Sequence, residues 1–223
     1  MCGRFAIKFD VKETEREFDV KKVLKAFQPN YNVAPMQNIP VVFKQQGSNV
    51  LDVFRWGLIP HWAKDEKLAY KMINSRVETV ADKPSFRKAF VEGRVLIPAS
   101  GFYEWKKIGD TKQPYYIHLK GRDLFAFAGI SSQWTNQKGN VINTCSILTC
   151  SPNKLMEKIH DRMPVILSKK FEQKWISPEI TEKDELLAML APIPDKEMDS
   201  YEVSTAVNSP RNNSPDILTP SKA

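Results

Sequence analysis

The sequence predicts a single mixed α+β domain, with a largely antiparallel sheet and short peripheral helices. Three observations carry this expectation. At 223 residues, with 42% hydrophobic and 26% charged side chains, the chain has the size and balance to bury one substantial core. Between residues 94 and 150 strand-like runs follow one another as a meander, separated by turn residues such as Gly109-Asp110 and Gly121. The helical patches on either side are short, and neither an internal repeat nor an interdomain linker interrupts the chain.

Residues 4–9 alternate polar and apolar as a half-buried strand does, which would tie the amino terminus into a sheet. Asp10 and Glu13 read as a capping box, and Val20, Val23, Leu24 and Phe27 share a helical face, so one helix is expected up to Pro29. Residues 30–35 form a turn-rich loop, followed by a hairpin of residues 39–44 and 50–56 around Gly47-Ser48-Asn49. Residues 57–70, with Pro60, His61 and Trp62, read as an exposed or half-exposed loop, and residues 72–79 define no element by themselves. A short helix is expected over 84–91, then strands over 94–98, 101–108, 115–119, 124–130 and 141–150. Ser151 and Pro152 would open a helix reaching about residue 159, and residues 164–167 suit a strand. Ser168 would cap a helix through Trp175, residues 183–190 form another helical patch, and residues 200–207 a last strand. The segment 208–223, rich in Asn, Ser and Pro, reads as a mobile or surface-laid tail.

Thirty-three Lys and Arg against 26 Asp and Glu leave a net charge of +7, which suits an anionic partner and weakly favours nucleic acid. The cysteines are Cys2, Cys145 and Cys150, without C-x-x-C or His-rich ligand spacing, so no zinc site is expected. An odd cysteine count and no export signal fit a reducing cytoplasm. Arg4, Lys8 and Asp10 break the start too early for a signal peptide, and no apolar run approaches the roughly eighteen residues a membrane span needs.

Cys2 is the residue whose chemistry stands out. If Met1 is removed, Cys2 carries a free α-amine and a thiol on adjacent carbons, a 1,2-aminothiol. With an aldehyde the amine forms an imine, which the thiol closes into a thiazolidine. The α-amine titrates near about 7.7–8.0, so a useful fraction is neutral at cytoplasmic pH. Arg4 is a nearby cation that can favour thiolate. A second-position cysteine at a frayed terminus is equally an ordinary spectator. Glu104, set among Phe102, Tyr103 and Trp105, would be pushed by desolvation toward general acid–base work, although an edge-strand Glu with its head in water is the plainer reading. His160 lies at an expected helix end, where a capping role is common. His118 suits a structural or solvent-facing place, and His61 is undecided. Asn74 can orient a substrate or merely form a turn. Arg4, Arg76 and Arg162 can clamp phosphates or simply carry surface charge, and Trp62, Trp105 and Phe102 can stack on bases or fill the core.

Six motifs occur in order: Met1-Cys2-Gly3-Arg4-Phe5, Tyr31-Asn32-Val33-Ala34-Pro35, Trp56-Gly57-Leu58-Ile59-Pro60, Asn74-Ser75-Arg76-Val77-Glu78-Thr79, Gly101-Phe102-Tyr103-Glu104-Trp105-Lys106 and His160-Asp161-Arg162-Met163-Pro164. Together they resemble the SOS-response-associated peptidase family from residue 2 to about residue 218, leaving 219–223 as a tail. The resemblance implies a curved, barrel-like sheet and a sensor that crosslinks itself to abasic sites in single-stranded DNA. It implies Cys2, Asn74, Glu104 and His160 as catalytic residues. DNA contacts are then expected from Arg4, Asn32, Pro35, Trp62, Arg76, Trp105 and Arg162. The expected protein is a cytoplasmic monomer, associated with the nucleoid when bound to DNA, with no metal, organic cofactor or membrane partner; replication-fork partners are unspecified. Two alternatives remain at this level. One is a thiol peptidase or amidase using Cys2 and His160, and the other a non-catalytic single-strand-binding module.

Overall fold

The computed structural model describes residues 2–221, so Met1, with its expected removal, and the last two residues of the 219–223 tail lie outside the described residues. Strand β1 (Phe5–Ile7) leads to helix α1 (Val11–Phe18), then β2 (Val20–Val23), β3 (Asn30–Val33), β4 (Asn38–Gln45) and β5 (Ser48–Trp56). Next come β6 (Asn74–Arg76), α2 (Val77–Val80), α3 (Arg87–Glu92), β7 (Arg94–Ala99), β8 (Gly101–Ile108) and β9 (Thr111–Leu119). The chain continues through β10 (Phe125–Thr135), β11 (Val141–Cys150), β12 (Met163–Pro164), α4 (Lys169–Trp175), α5 (Lys183–Ala188) and β13 (Met198–Glu202).

The meander is divided between two sheets. One runs β13-β9-β8-β1-β3, and the other β12-β11-β10-β7-β4-β5-β2. Strands β7 and β8, consecutive in sequence, therefore belong to different sheets, with only Ser100 between them. In the second sheet β11 also pairs β5 in parallel, through Thr144 with Arg55 and Cys145 with Trp56. That pairing closes β5, β4, β7, β10 and β11 into a mixed barrel, so the curved, barrel-like and largely antiparallel sheet is what the chain forms.

The first helix is shorter than its periodicity suggests. The Asp10–Glu13 capping box forms at its start. The helix nevertheless ends at Phe18, because Asp19 turns left-handed at φ 50 and its N–H bonds the Glu15 carbonyl. Val20–Val23 then pairs in parallel with β5, and Leu24 is 44% exposed, so the apparent helical face does not form. The expected helix after Ser151 contracts to a 3₁₀ turn at Met156–Lys158. Asn153 explains this, since its Oδ1 accepts the Met156 N–H at 3.0 Å while its Nδ2 donates to the Ile193 carbonyl at 2.9 Å. The last strand stops at Glu202, and Ser204 caps a 3₁₀ turn at Thr205–Asn208.

The segment expected to be a loose tail is packed. Val207 and Ile217 are buried against Tyr103 and Tyr116, and the Ser221 N–H donates to the Glu202 carbonyl at 2.8 Å. Phe5 anchors the amino-terminal strand in the core, 5.2 Å from Trp56 and 5.8 Å from Phe127 in edge-to-face geometry. β1 is buried on both faces, denser than the half-buried pattern expected of it. Among the described residues, no helix is long and apolar enough to cross a membrane.

Candidate active site

The site is assembled where the two sheets meet. Strand β1 pairs antiparallel with β8, Phe5 opposite Phe102 and Ala6 opposite Gly101. The register continues in the Tyr103 N–H, which donates to the Arg4 carbonyl at 2.9 Å, and one step further brings Glu104 level with Gly3. Gly101 is required for this pairing, because a Cβ there would lie 2.4 Å from the Tyr116 ring. Asn74 comes from the other sheet, where β6 runs parallel to β11 with Asn74 beside Ile147 and Arg76 beside Thr149. His160 arrives on the turn leading into β12, held by its own N–H to the Met156 carbonyl at 2.8 Å.

The four residues expected to be catalytic are linked in pairs. Asn74 Nδ2 donates to the Cys2 carbonyl at 2.8 Å, so the amide fixes the backbone of the residue it serves. The Asn74 Oδ1 is buried and has no hydrogen-bond partner among the described residues. Glu104 Oε2 lies 3.9 Å from His160 Nε2, too long for a direct hydrogen bond but short enough for one oxygen to reach both groups. His160 Nδ1 accepts the Arg162 N–H at 3.1 Å and lies 2.8 Å from Asp161 Oδ1, so this nitrogen has a partner in the neutral and in the charged ring.

Burial sets the protonation of the site. Glu104 is 3% exposed, and loss of water around its carboxyl is the main force raising its pKa to about 7. Desolvation lowers the His160 pKa from its ordinary value. Cys2 is fully buried, and burial, with the Glu104 charge second, pushes the thiol well above the ordinary cysteine range. Among the described residues its bonding partner is the Arg4 carbonyl, at 3.9 Å from Sγ. Burial thus favours the protonated thiol over the thiolate, and the Arg4 guanidinium is engaged with Asn32 and the Val207 carbonyl.

The residues expected to touch DNA divide into exposed and internal ones. Arg76 is exposed, and Trp62 is 52% exposed. Neither of the cavities Trp62 lines includes Cys2, Asn74, Glu104 or His160. Pro35 is half-buried at a turn completed by Met36 at φ 73. Arg162 forks onto Glu78 at 2.6 and 2.9 Å and also donates to the Thr149 carbonyl at 2.6 Å. That fork holds the Glu78 carboxyl below its ordinary pKa.

Asn32 departs most from its expected place. It is fully buried, and its Nδ2 reaches the carbonyls of Val207, Ser209 and Asn212 at 3.2, 3.0 and 2.8 Å. Its Oδ1 accepts Arg4 Nη1 at 2.7 Å, and the same Nη1 donates to the Val207 carbonyl at 2.7 Å. The side chain faces inward, as a latch between the amino-terminal arm and the carboxyl-terminal segment, in place of the expected contact with a base. Trp105 is drawn into the same latch, its Nε1 donating to Asn208 Oδ1 at 2.7 Å, with the Arg4 guanidinium 5.9 Å from its ring centre. Thr149, Glu78 and Asn208 thus support the site, although none of them is expected there from the sequence. Glu78 carries a local signal, its place in the motif of residues 74–79, while Thr149 carries none and Asn208 sits in an Asn- and Ser-rich stretch with no role assigned.

Fold and site together define a protein built around its own second residue, held between two sheets beside a buried carboxylate and an imidazole. The chain belongs to the SOS response associated peptidase (SRAP) family, whose model matches residues 1–210. It is 48% identical over 221 residues to the abasic site processing protein YoqW of Bacillus subtilis, covering 98% of this chain and 99% of that one. It is 30% identical to the abasic site processing protein YedK of Escherichia coli, covering 99% and 100%. A crystal structure of a Bacteroides thetaiotaomicron protein superimposes with a TM-score of 0.92 at 28% identity, covering 99% of this chain and 100% of that one. Among the described residues, no group of three or more His, Cys, Asp or Glu side chains is placed to hold a metal ion.

Proposed function

We propose that this protein processes abasic sites in DNA, as the names of its relatives state for them, and that it captures them in single strands as a covalent thiazolidine on Cys2. Removal of Met1, by the chain itself or by an aminopeptidase, frees the Cys2 amine. The amine adds to the C1′ aldehyde of the ring-opened deoxyribose, and loss of one water gives the imine. The thiol then adds to the imine carbon and its proton passes to nitrogen, closing the five-membered ring with no further leaving group.

The observation that carries this reading is the placement of Glu104. A carboxyl raised to about 7 and level with Gly3, within electrostatic reach of the Cys2 thiol, can give a proton to the departing hydroxyl and regain one from the amine at neutral pH. Asn74 holds the Cys2 carbonyl and keeps Oδ1 as an acceptor for the new amine or a sugar hydroxyl. His160, its pKa lowered, faces the same reacting oxygen and is assigned the ring-opened sugar oxygen. Burial disfavours the thiolate, which supports an order in which the amine acts first and the thiol locks the product. The same fact weighs against a thiol peptidase, whose nucleophile needs a lowered pKa and an adjacent base. Arg76, Arg4 and Arg162 would meet flanking phosphates, and Trp62 and Trp105 the splayed bases.

The test is a denaturing gel of the protein mixed with single-stranded oligonucleotides that carry, or lack, one abasic site. A slow-migrating band confined to the abasic strand and absent in Cys2→Ala is expected, with Met1 missing by intact mass. No band, or a band with Met1 retained, rules out aminothiol capture; turnover of peptides would favour the peptidase instead.

A further inference from the structure

We infer, resting on the reading of the site just proposed, that a lysine-lined groove beside His160 carries the sugar-phosphate backbone of the DNA strand on one side of the lesion. The groove has a volume of about 790 Å³ and is lined by Lys106, Lys120, Lys154, Lys158 and Lys196. Lys158 and Ile159 in its wall are the two residues before His160. Lys106 lies two residues beyond Glu104 on β8 and so projects from the same face of that strand.

Among the described residues, none of the five lining lysines has a carboxylate oxygen within 4.0 Å. Glu157, Asp195 and Asp199 also line the groove, but the ammonium groups outnumber them and none is drawn into a pair. An extended row of ammonium groups suits a polymer of regularly spaced phosphates better than a single anion. Tyr115 and Leu155 in the wall offer apolar surface on which a base can rest.

The test uses the Cys2→Ala protein, which binds without capture, and a fluorescent single-stranded oligonucleotide titrated between about 50 and 200 mM salt. Every phosphate that a variant no longer neutralises lowers the slope of log affinity against log salt by about 0.7. Lys106→Gln/Lys154→Gln/Lys158→Gln should therefore flatten the slope by about 2 and weaken binding at low salt by tenfold or more. A charge-matched control, Lys12→Gln/Lys22→Gln/Lys25→Gln, changes exposed lysines outside the groove and should leave the slope near that of the parent. Equal slopes in the groove variant and the control overturn the inference. So does competition by a polyglutamate peptide as effective as that by an oligonucleotide of equal charge, which would assign the groove to an acidic protein segment. The two readings fail separately. A wild-type protein that gives no abasic-specific band while the groove variant still flattens the slope removes the capture chemistry alone. A normal band with unchanged slope removes the groove alone.

Discussion

Glu104 concentrates the tension between stability and chemistry at the level of one side chain. Its pKa rises on folding from 4.5 to about 7, chiefly through desolvation, so the folded protein holds that proton more tightly than the unfolded chain. Between those two values the native state binds more protons, and stability falls as pH rises. The destabilisation is fully felt above about pH 7 and absent below about pH 4.5; its size is at most about 3.5 kcal/mol, at about 1.4 kcal/mol per unit. Glu104→Gln should therefore be more stable than the wild type at pH 8, with the gap closing toward pH 4.5, as read from urea midpoints at the two pH values. A gap independent of pH would show that the carboxyl is solvated in the native protein. In the same variant, capture should slow by about 10²–10⁴-fold, because the proton shuttle is gone while the amine remains.

Among the elements, the 3₁₀ turn at Thr205–Asn208 and the strand β3 form a clamp on the amino-terminal arm, with Asn32 as its pin. Replacing Asn32 by Ala takes its amide from the carbonyls of buried Val207, half-buried Ser209 and exposed Asn212, and removes an acceptor from Arg4. With about 1–3 kcal/mol for each group left unsatisfied, a destabilisation of about 3 kcal/mol is expected after partial relaxation. A urea denaturation series checks this; a change below about 1 kcal/mol, with weakened DNA binding, would return Asn32 to the DNA surface. The latch was not legible in the sequence, because Asn in a turn-rich stretch serves turns, caps and ligands alike. Its partners lie 175–180 residues away, beyond any local pattern. Strands β8 and β11, by contrast, stand within the bounds their residues suggest, since alternation and flanking turns are local properties. The run after Asp19 misleads for the same reason: its helical spacing is local, and the edge of β5 that claims it is not.

At the scale of the whole molecule, the reactive terminus is part of the core rather than an appendage to it. The motif order points to Cys2, Asn74, Glu104 and His160, but only the barrel closure through β5 and β11 and the sheet change at Ser100 explain how residues so far apart in sequence converge. Phe5 lies against Trp56 of β5 and Phe127 of β10, so β1 bridges the two sheets and holds the arm bearing Cys2 against both. Terminal strands usually fray, with opening free energies well below that of global unfolding. Here, releasing β1 would uncover Phe5, Ala6 and Ile7, all at most 2% exposed, and break pairings with both β3 and β8. Native-state hydrogen exchange should therefore find the β1 amides protected to within about tenfold of those in β10, or about 1.4 kcal/mol, and opening only with the whole domain. Exchange in β1 faster by several orders of magnitude would mean that the arm detaches on its own. The catalytic geometry would then have to be rebuilt on DNA binding instead of standing ready in the free protein.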